Sequence, residues 1–278
     1  MNISQEEMND INKIQLDIFK DFVNVCEQLN LKYYAVHGTL LGALRCEGFF
    51  PFDDDIDVAM PRKDYDILIK EGQKLLKDNY FIQSNETEKE YPLTFAKIRD
   101  NNTAFIQPVL NNFNVNKGIY IDIFPIDNFP TNKLKQKIIV LKEKILSARV
   151  VKEMKVKDRS TLKKLISSIS TIFYPNINKA TTKRSNLYKK EKFNGNCIVY
   201  GGKVSEKNIP FSLFGDGTTL KFEDLSISVP SNYKEYLKII YGDYTTYSPS
   251  AKYMVGDNLV EISADIYDTK KSYKEYVK

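Results

Sequence analysis

Gly38 to Pro61 reads GTLLGALRCEGFFPFDDDIDVAMP, and the fold is decided here. A glycine followed by a hydroxyl, Gly38-Thr39, opens a short helix predicted over Thr39 to Arg45 and ended near Gly48. The backbone N–H groups of such a turn can face a phosphate. Five residues, Asp53 to Asp57, then carry four carboxylates. Charges packed so closely repel one another, and a divalent cation is the simplest group that neutralises them. A cation site beside a phosphate cradle points to phosphoryl or nucleotidyl chemistry.

Asp55 to Met60 alternates acid and apolar residues and predicts a strand. Asp55 and Asp57 then project to one face while Ile56 and Val58 pack on the other. Two aligned carboxylates can hold Mg²⁺ ions that also bind a substrate's phosphates. A third acid is expected from a separate strand. Asp122, in GIYIDIFPID, stands between Ile121 and Ile123. A carboxylate in an apolar run is costly unless it is paired or ligating. Alone, Asp53 to Asp57 also reads as an acidic loop or a calcium turn. The turn sixteen positions before Asp55, together with the later acid, favours the catalytic reading.

Outward from this stretch, Ser4 and Glu7 make a capping box. Met8, Ile11, Ile18, Phe22, Val25 and Leu29 recur at helical spacing and predict an amphipathic helix over 5–29. Leu31 to Val36 reads as a strand and Arg62 to Lys77 as a helix. Tyr80 to Gln83, Leu93 to Arg99, Thr103 to Gln107 and Gly118 to Phe124 are further strands. The pattern argues an α+β fold, a mixed sheet flanked by helices. Lys133 to Lys155 and Leu162 to Phe173 predict two helices, Leu225 to Val229 a strand, and Asn232 to Tyr241 a helix closed by Gly242. The organisation expected is a catalytic core over 1–130, a basic helical segment over 131–200, and an α/β part over 201–278 that completes the substrate site.

The 278 residues carry a net charge of +5, unevenly spread. Residues 133–192 hold 18 of the 41 Lys and Arg but 4 of the 36 Asp and Glu, so the remainder is acidic. In the first basic helix Leu134, Ile138, Leu141 and Ile145 share a stripe; in the second, Leu162, Leu165, Ile166, Ile169 and Phe173 do. Two readings follow. The stripes pack on the core and show solvent a basic side, or the basic surface engages an anionic partner such as a lipid-linked polymer or the inner membrane leaflet. Cys26, Cys46 and Cys197 are odd in number and far apart, which indicates neither a disulfide framework nor a zinc knuckle. The single histidine, His37, removes His-rich metal sites and a Ser-His-Asp triad; beside the turn it reads first as a packed residue and second as a ligand contact. Met1 is followed by polar and acidic residues and no apolar run approaches a membrane span, so a cytoplasmic protein without a signal peptide is expected.

A Gly-Ser/Thr turn, an Asp-x-Asp strand and a later acid resemble the polymerase-β-like nucleotidyltransferase fold. GTLLGALR, GFFPFDDDIDVAMPRKDY, FAKIRDNNT, YIDIFPID and FEDLSISVPSNYKEYLKIIYGDY narrow the likeness. In that order, from Leu31 to Tyr244, they resemble the LicD family of phosphocholine transferases, with fukutin-related proteins as distant relatives. The resemblance implies transfer of phosphocholine from CDP-choline to a hydroxyl of a cell-surface glycan, of teichoic-acid or lipopolysaccharide type, with release of CMP. It implies Mg²⁺, or Mn²⁺ in its place, on Asp55 and Asp57, with Asp122 as third ligand or base. Gly38 and Thr39 become the phosphate turn. Lys97 and Arg99 become phosphate contacts, with Thr103 beside them. Arg45 pairs with the acidic loop or the diphosphate, or forms a structural salt bridge. Asp53 and Asp54 support the ligands or form the turn. Phe52 stands where the family has Trp, and TTYSPSAKYMVGD replaces the usual Pro-Pro stretch. A quaternary ammonium favours an aromatic cage, for which Tyr241, Tyr244, Tyr247 and Phe222 are candidates.

Alternatives stay open at this point. The donor could be CDP-ribitol, CDP-glycerol or a nucleoside triphosphate. A non-catalytic glycan- or nucleotide-binding module could keep the fold, although it has no reason to retain mutually repelling carboxylates. Nucleic acid is not expected as a partner, because the basic segment lacks regular aromatic interleaving.

Overall fold

Ser4 ends the first strand, β1 (Asn2–Ser4), and caps the helix that follows, α1 (Gln5–Gln28). Its hydroxyl accepts from Glu7 N at 3.2 Å while Glu7 Oε2 accepts from Ser4 N at 2.7 Å, which completes the capping box. The computed structural model describes residues 1–50, 53–154, 161–189, 195–199, 209–246 and 259–277, with the backbone alone over 161–165. Phe52, Lys155 and Tyr247 lie outside the described residues. The apolar stripe of α1 is buried as its spacing predicts, through Met8, Ile11, Ile18, Phe22 and Val25.

After α1 the chain forms β2 (Tyr34–Ala35), α2 (His37–Cys46), β3 (Asp57–Pro61) and α3 (Arg62–Glu71). It continues through β4 (Tyr80–Gln83), β5 (Ala96–Asp100), β6 (Ala104–Ile106) and β7 (Tyr120–Asn128). The strand expected over Leu31 to Val36 shortens to two residues because His37, at φ +48°, turns the chain into α2. The helix expected to run to Lys77 ends at Glu71, and a tighter turn covers Gly72–Lys74. β7 outruns its expected end at Phe124 because its far half finds a partner in β8 (Asn196–Val199).

The central sheet has the order β2-β3-β7-β5-β4. β3 lies parallel to one edge of β7, and β5 and β8 share the other edge in antiparallel register. The sheet is therefore mixed and the fold α+β. Between β7 and β8 stand α4 (Lys133–Glu153), α5 (Thr161–Phe173) and α6 (Ile177–Ser185). The last part adds β9 (Ile209–Pro210) against β8, the hairpin β10 (Thr218–Phe222) and β11 (Leu225–Val229), and α7 (Tyr233–Tyr241). Two final strands, β12 (Leu259–Glu261) and β13 (Ile266–Asp268), pair antiparallel with β1 and β6. The core sheet thus takes a strand from within 131–200, and the end of the chain is laced to its beginning.

The main core packs α1 on the sheet. Phe19 and Phe22 meet the Tyr33 ring edge-on at 6.0 and 5.2 Å. Phe222 belongs to this cluster, wholly buried and 5.0 Å from Phe49, so it is a core residue and not part of a ligand cage. Tyr241 and Tyr244 pack half-buried on the same core.

One charged pair ties α3 to β7. Arg62 Nε and Nη2 donate to the two carboxylate oxygens of the buried Asp127 at 2.7 and 2.6 Å. Breaking a buried pair strands the remaining charge at a cost of about 3–5 kcal/mol. Asp127→Ala should lower unfolding stability in urea by about that amount, whereas breaking an exposed pair such as Lys32–Asp216 should leave it nearly unchanged.

Candidate active site

β3 and β7 run in parallel with Asp57 opposite Asp122. That register sets both side chains on one face of the sheet, and Asp55, two residues before Asp57, shares it. One carboxylate oxygen from each of Asp55, Asp57 and Asp122 lies within 4.8 Å of the others. Ile56, Val58, Ile121 and Ile123 are fully buried on the opposite face, as their parity predicts. Across the other edge of β7, Lys97 of β5 stands opposite Asp122. Its Nζ donates to Asp122 Oδ1 in a buried ion pair. The same Nζ lies 3.3 Å from the centre of the Tyr120 ring, a cation–π contact that steadies the ammonium out of water.

Burial first, and then repulsion, sets the protonation of this cluster. Asp55 is pushed well above the carboxylate range by burial and by Asp57. Asp57 is pushed up by burial, Asp122 and Asp53, with Lys97 acting against them. Burial also raises Asp122, and Lys97 draws it back. Three carboxylates face one ammonium, so negative charge is in excess. An all-oxygen set of this kind suits a hard cation such as Mg²⁺ or Mn²⁺, and no histidine or thiol stands in the cluster to select a softer one.

The start of α2 braces the acidic strand. Val36 N donates to Asp57 O at 3.0 Å, and Thr39 Oγ1 accepts from Asp57 N at 2.7 Å. Thr39 therefore grips the strand backbone. Gly38 lies directly under Asp53: a Cβ there would stand 2.2 Å from Asp53 Oδ2. Burial and the neighbouring Asp54 raise Asp53 to about 7. His37 packs edge-on against Phe124 at 5.6 Å, and its burial lowers the imidazole to about 4. Asp54 turns to the end of the chain. Its Oδ2 accepts from Ser263 N at 3.0 Å and from Ser263 Oγ at 2.9 Å, while its carbonyl accepts from Gln15 Nε2 at 2.7 Å.

Arg99, Thr103 and Arg45 lie as follows. Arg99 is wholly buried and donates to Gln83 Oε1 and to Gly118 O. A guanidinium sealed in this way acts on Asp122 through its charge. Thr103 is also buried, with Oγ1 donating to Asp100 O and accepting from Ile119 N, so it closes the turn between β5 and β6. Arg45 sits in the last turn of α2, the end away from Gly38, with its guanidinium 5.1 Å over the Phe50 ring. Gln15, Tyr120 and Ser263 shape the site without having been singled out from the sequence. Tyr120 shares the parity of Asp122, and Gln15 is a polar residue on the buried stripe of α1, so both left a signal. Ser263 left none, because its contact joins positions 209 residues apart.

The raised carboxylates dictate a pH dependence. Asp53 titrates near 7 in the folded protein and near 4 in the unfolded chain, so between these values the folded state holds more protons. With metal chelated, stability should fall as pH rises from 5 to 8, read as the thermal midpoint. His37 acts in the opposite sense below about pH 6.5, so the comparison is with Asp57→Asn, which keeps His37. The fall should be smaller in that variant, and Mg²⁺ should raise the midpoint of the native protein at pH 8 but not that of the variant.

Residues 30–149 match the family model described as LicD/FKTN/FKRP, nucleotidyltransferase domain. The match includes Gly38, Thr39, Asp53 to Asp57, Lys97 and Asp122. The lipopolysaccharide cholinephosphotransferase LicD of Haemophilus influenzae is 26% identical over 246 residues, which cover 84% of this chain and 89% of that protein. Uncharacterized proteins of Rickettsia prowazekii and Rickettsia typhi are each 43% identical over 47 residues, 17% of this chain and 18% and 15% of theirs. Over residues 30–149, then, the chain is similar to the LicD/FKTN/FKRP, nucleotidyltransferase domain family.

Proposed function

We propose that this protein transfers phosphocholine from CDP-choline to a hydroxyl of a cell-surface glycan, of lipopolysaccharide or teichoic-acid type, and releases CMP. The observation that carries the reading is the meeting of the Asp55, Asp57 and Asp122 carboxylates within 4.8 Å. It is supported by the relative in Haemophilus influenzae, itself a lipopolysaccharide cholinephosphotransferase.

In this reading Asp55, Asp57 and Asp122 hold Mg²⁺ or Mn²⁺, which when bound neutralises phosphate oxygens and shields the departing CMP. The chain's own groups do the rest. A carboxylate of the three takes the proton of the acceptor hydroxyl. The freed oxygen attacks the phosphorus that bears choline. The bond from that phosphorus to the bridging oxygen of the diphosphate breaks, and CMP leaves with that oxygen. Lys97, paired with Asp122 and seated on Tyr120, supplies positive charge beside the transferred group. Thr39 and Gly38 hold the acidic strand and its loop in place.

The test is product analysis with CDP-choline, Mg²⁺ and a glycan acceptor lacking phosphocholine. CMP and no pyrophosphate should appear, with CDP-choline preferred over CDP-ribitol and CDP-glycerol. Asp55→Asn and Asp57→Asn should each cut turnover at least about 100-fold with circular dichroism unchanged. Retained turnover in either variant would sink the metal assignment. Pyrophosphate from a nucleoside triphosphate would favour nucleotidyl transfer, and ligand binding without turnover would indicate a binding module.

A further inference from the structure

α5 is amphipathic in the reverse of the usual sense. A surface helix of a soluble protein turns its apolar stripe to the core. Here the polar side is inside. Ser167 and Ser170 are buried, and Ser167 Oγ donates to Ala148 O of α4 at 2.9 Å. Thr171 Oγ1 accepts from Lys152 Nζ of α4 at 3.2 Å. The apolar side faces out through Ile166, Ile169, Ile172 and Phe173, the last two 79% and 72% exposed. α4 is apolar on two sides. Its inner face is Ile139, Leu146 and Val150, while Leu134, Ile138 and Leu141 of the stripe noted in the sequence are exposed, Leu134 at 67%. The expectation that both stripes pack on the core does not hold for these residues.

The charges around this face have one sign. Lys135, Lys137, Lys142 and Lys144 are exposed on α4. The acids of α4 are paired: Glu143 is buried against Arg184 Nε at 2.8 Å, and the half-exposed Glu153 is bound by Arg149 at 2.7 Å. α5 and α6 carry no acid. An apolar face bordered by lysines fits a surface that is anionic outside and hydrocarbon beneath. A soluble acidic partner would satisfy the lysines and leave the isoleucines in water. A second copy would bring an equally basic segment against the first.

We infer that α5 and the first half of α4 form a docking face for an anionic lipid bilayer. Ile169, Ile172 and Phe173 enter the boundary between headgroups and acyl chains, and the lysines of α4 lie at the lipid phosphates. The protein is then peripheral, and among the described residues no helix is long and apolar enough to cross a membrane. This inference goes beyond the catalytic reading and does not depend on it.

The chain has no Trp, so Phe173→Trp places a single indole on this face. With vesicles of phosphatidylcholine and phosphatidylglycerol in equal parts, its emission should shift to the blue and the protein should sediment with the lipid. Binding should weaken at least about tenfold in 0.5 M NaCl or in pure phosphatidylcholine. Ile169→Asp combined with Ile172→Asp, both at exposed positions, should abolish sedimentation with circular dichroism unchanged. Lys142→Glu combined with Lys144→Glu should weaken binding and flatten its salt dependence. No sedimentation of the native protein at low salt, or undiminished binding in the double Asp variant, would overturn the inference. Concentration-dependent dimerisation without vesicle binding would overturn it too, in favour of a second copy. None of these measurements uses donor or acceptor, so they fail or succeed apart from the transfer assay.

Discussion

Like charges held together against their repulsion are the constraint around which this molecule is arranged. Asp55, Asp57 and Asp122 converge because β3 and β7 are locked in parallel register, Asp57 opposite Asp122. A slip of one residue would turn Asp57 to the apolar face and Val58 to the site. The backbone resists that slip at several points: Asp122 N donates to Ile56 O, Val36 N to Asp57 O, and Asp57 N to Thr39 Oγ1. Ile56, Val58, Ile121 and Ile123, buried beneath, anchor the strands through the hydrophobic effect. The core thus holds in place a cluster that electrostatics alone would disperse.

Lys97 relieves part of the repulsion and leaves the rest. Its ammonium is balanced among Asp122, the Tyr120 ring and Phe95, so it stays in the site instead of reaching solvent. One positive charge against three carboxylates leaves room for a divalent cation, and the donors are all hard oxygens. The acidic loop is held from two distant places, Gln15 of α1 and Ser263 near β12, so both ends of the chain take part in shaping it. Pairing of β1 with β12 and of β6 with β13 brings those ends together.

The helices inserted between β7 and β8 follow another logic. They hold one another by polar and ionic contacts, through Arg184–Glu143, Arg149 to the carbonyls of Tyr174 and Pro175, and the serines of α5, and meet the body through Ile139 and Val150 of α4. That leaves the apolar stripes free to meet something else. A cluster of converging carboxylates and a basic, apolar outer face therefore coexist in one chain, acidic in its core and basic in its insertion.

Much of this was legible in the residues. The parity of Asp55 and Asp57, the apolar flanks of Asp122, the capping box of Ser4 and Glu7, and the strand Tyr80–Gln83 all depend on neighbours a few positions away, and local periodicity reports such neighbours faithfully. The same periodicity found the stripes of α4 and α5 but not what they meet, because it says which residues share a face and nothing about the surface opposite. Arg99 and Thr103 sit in a motif beside Lys97, yet their partners are Gln83, Gly118 and Ile119 on other segments, so they went into the interior while Lys97 reached the site. The chain by itself therefore determined which side chains share a face and which acids could act together. The tertiary structure alone decided the register of Asp57, Asp122 and Lys97, the burial of Arg99 and the outward face of α5, because each is set by contacts between residues far apart in sequence.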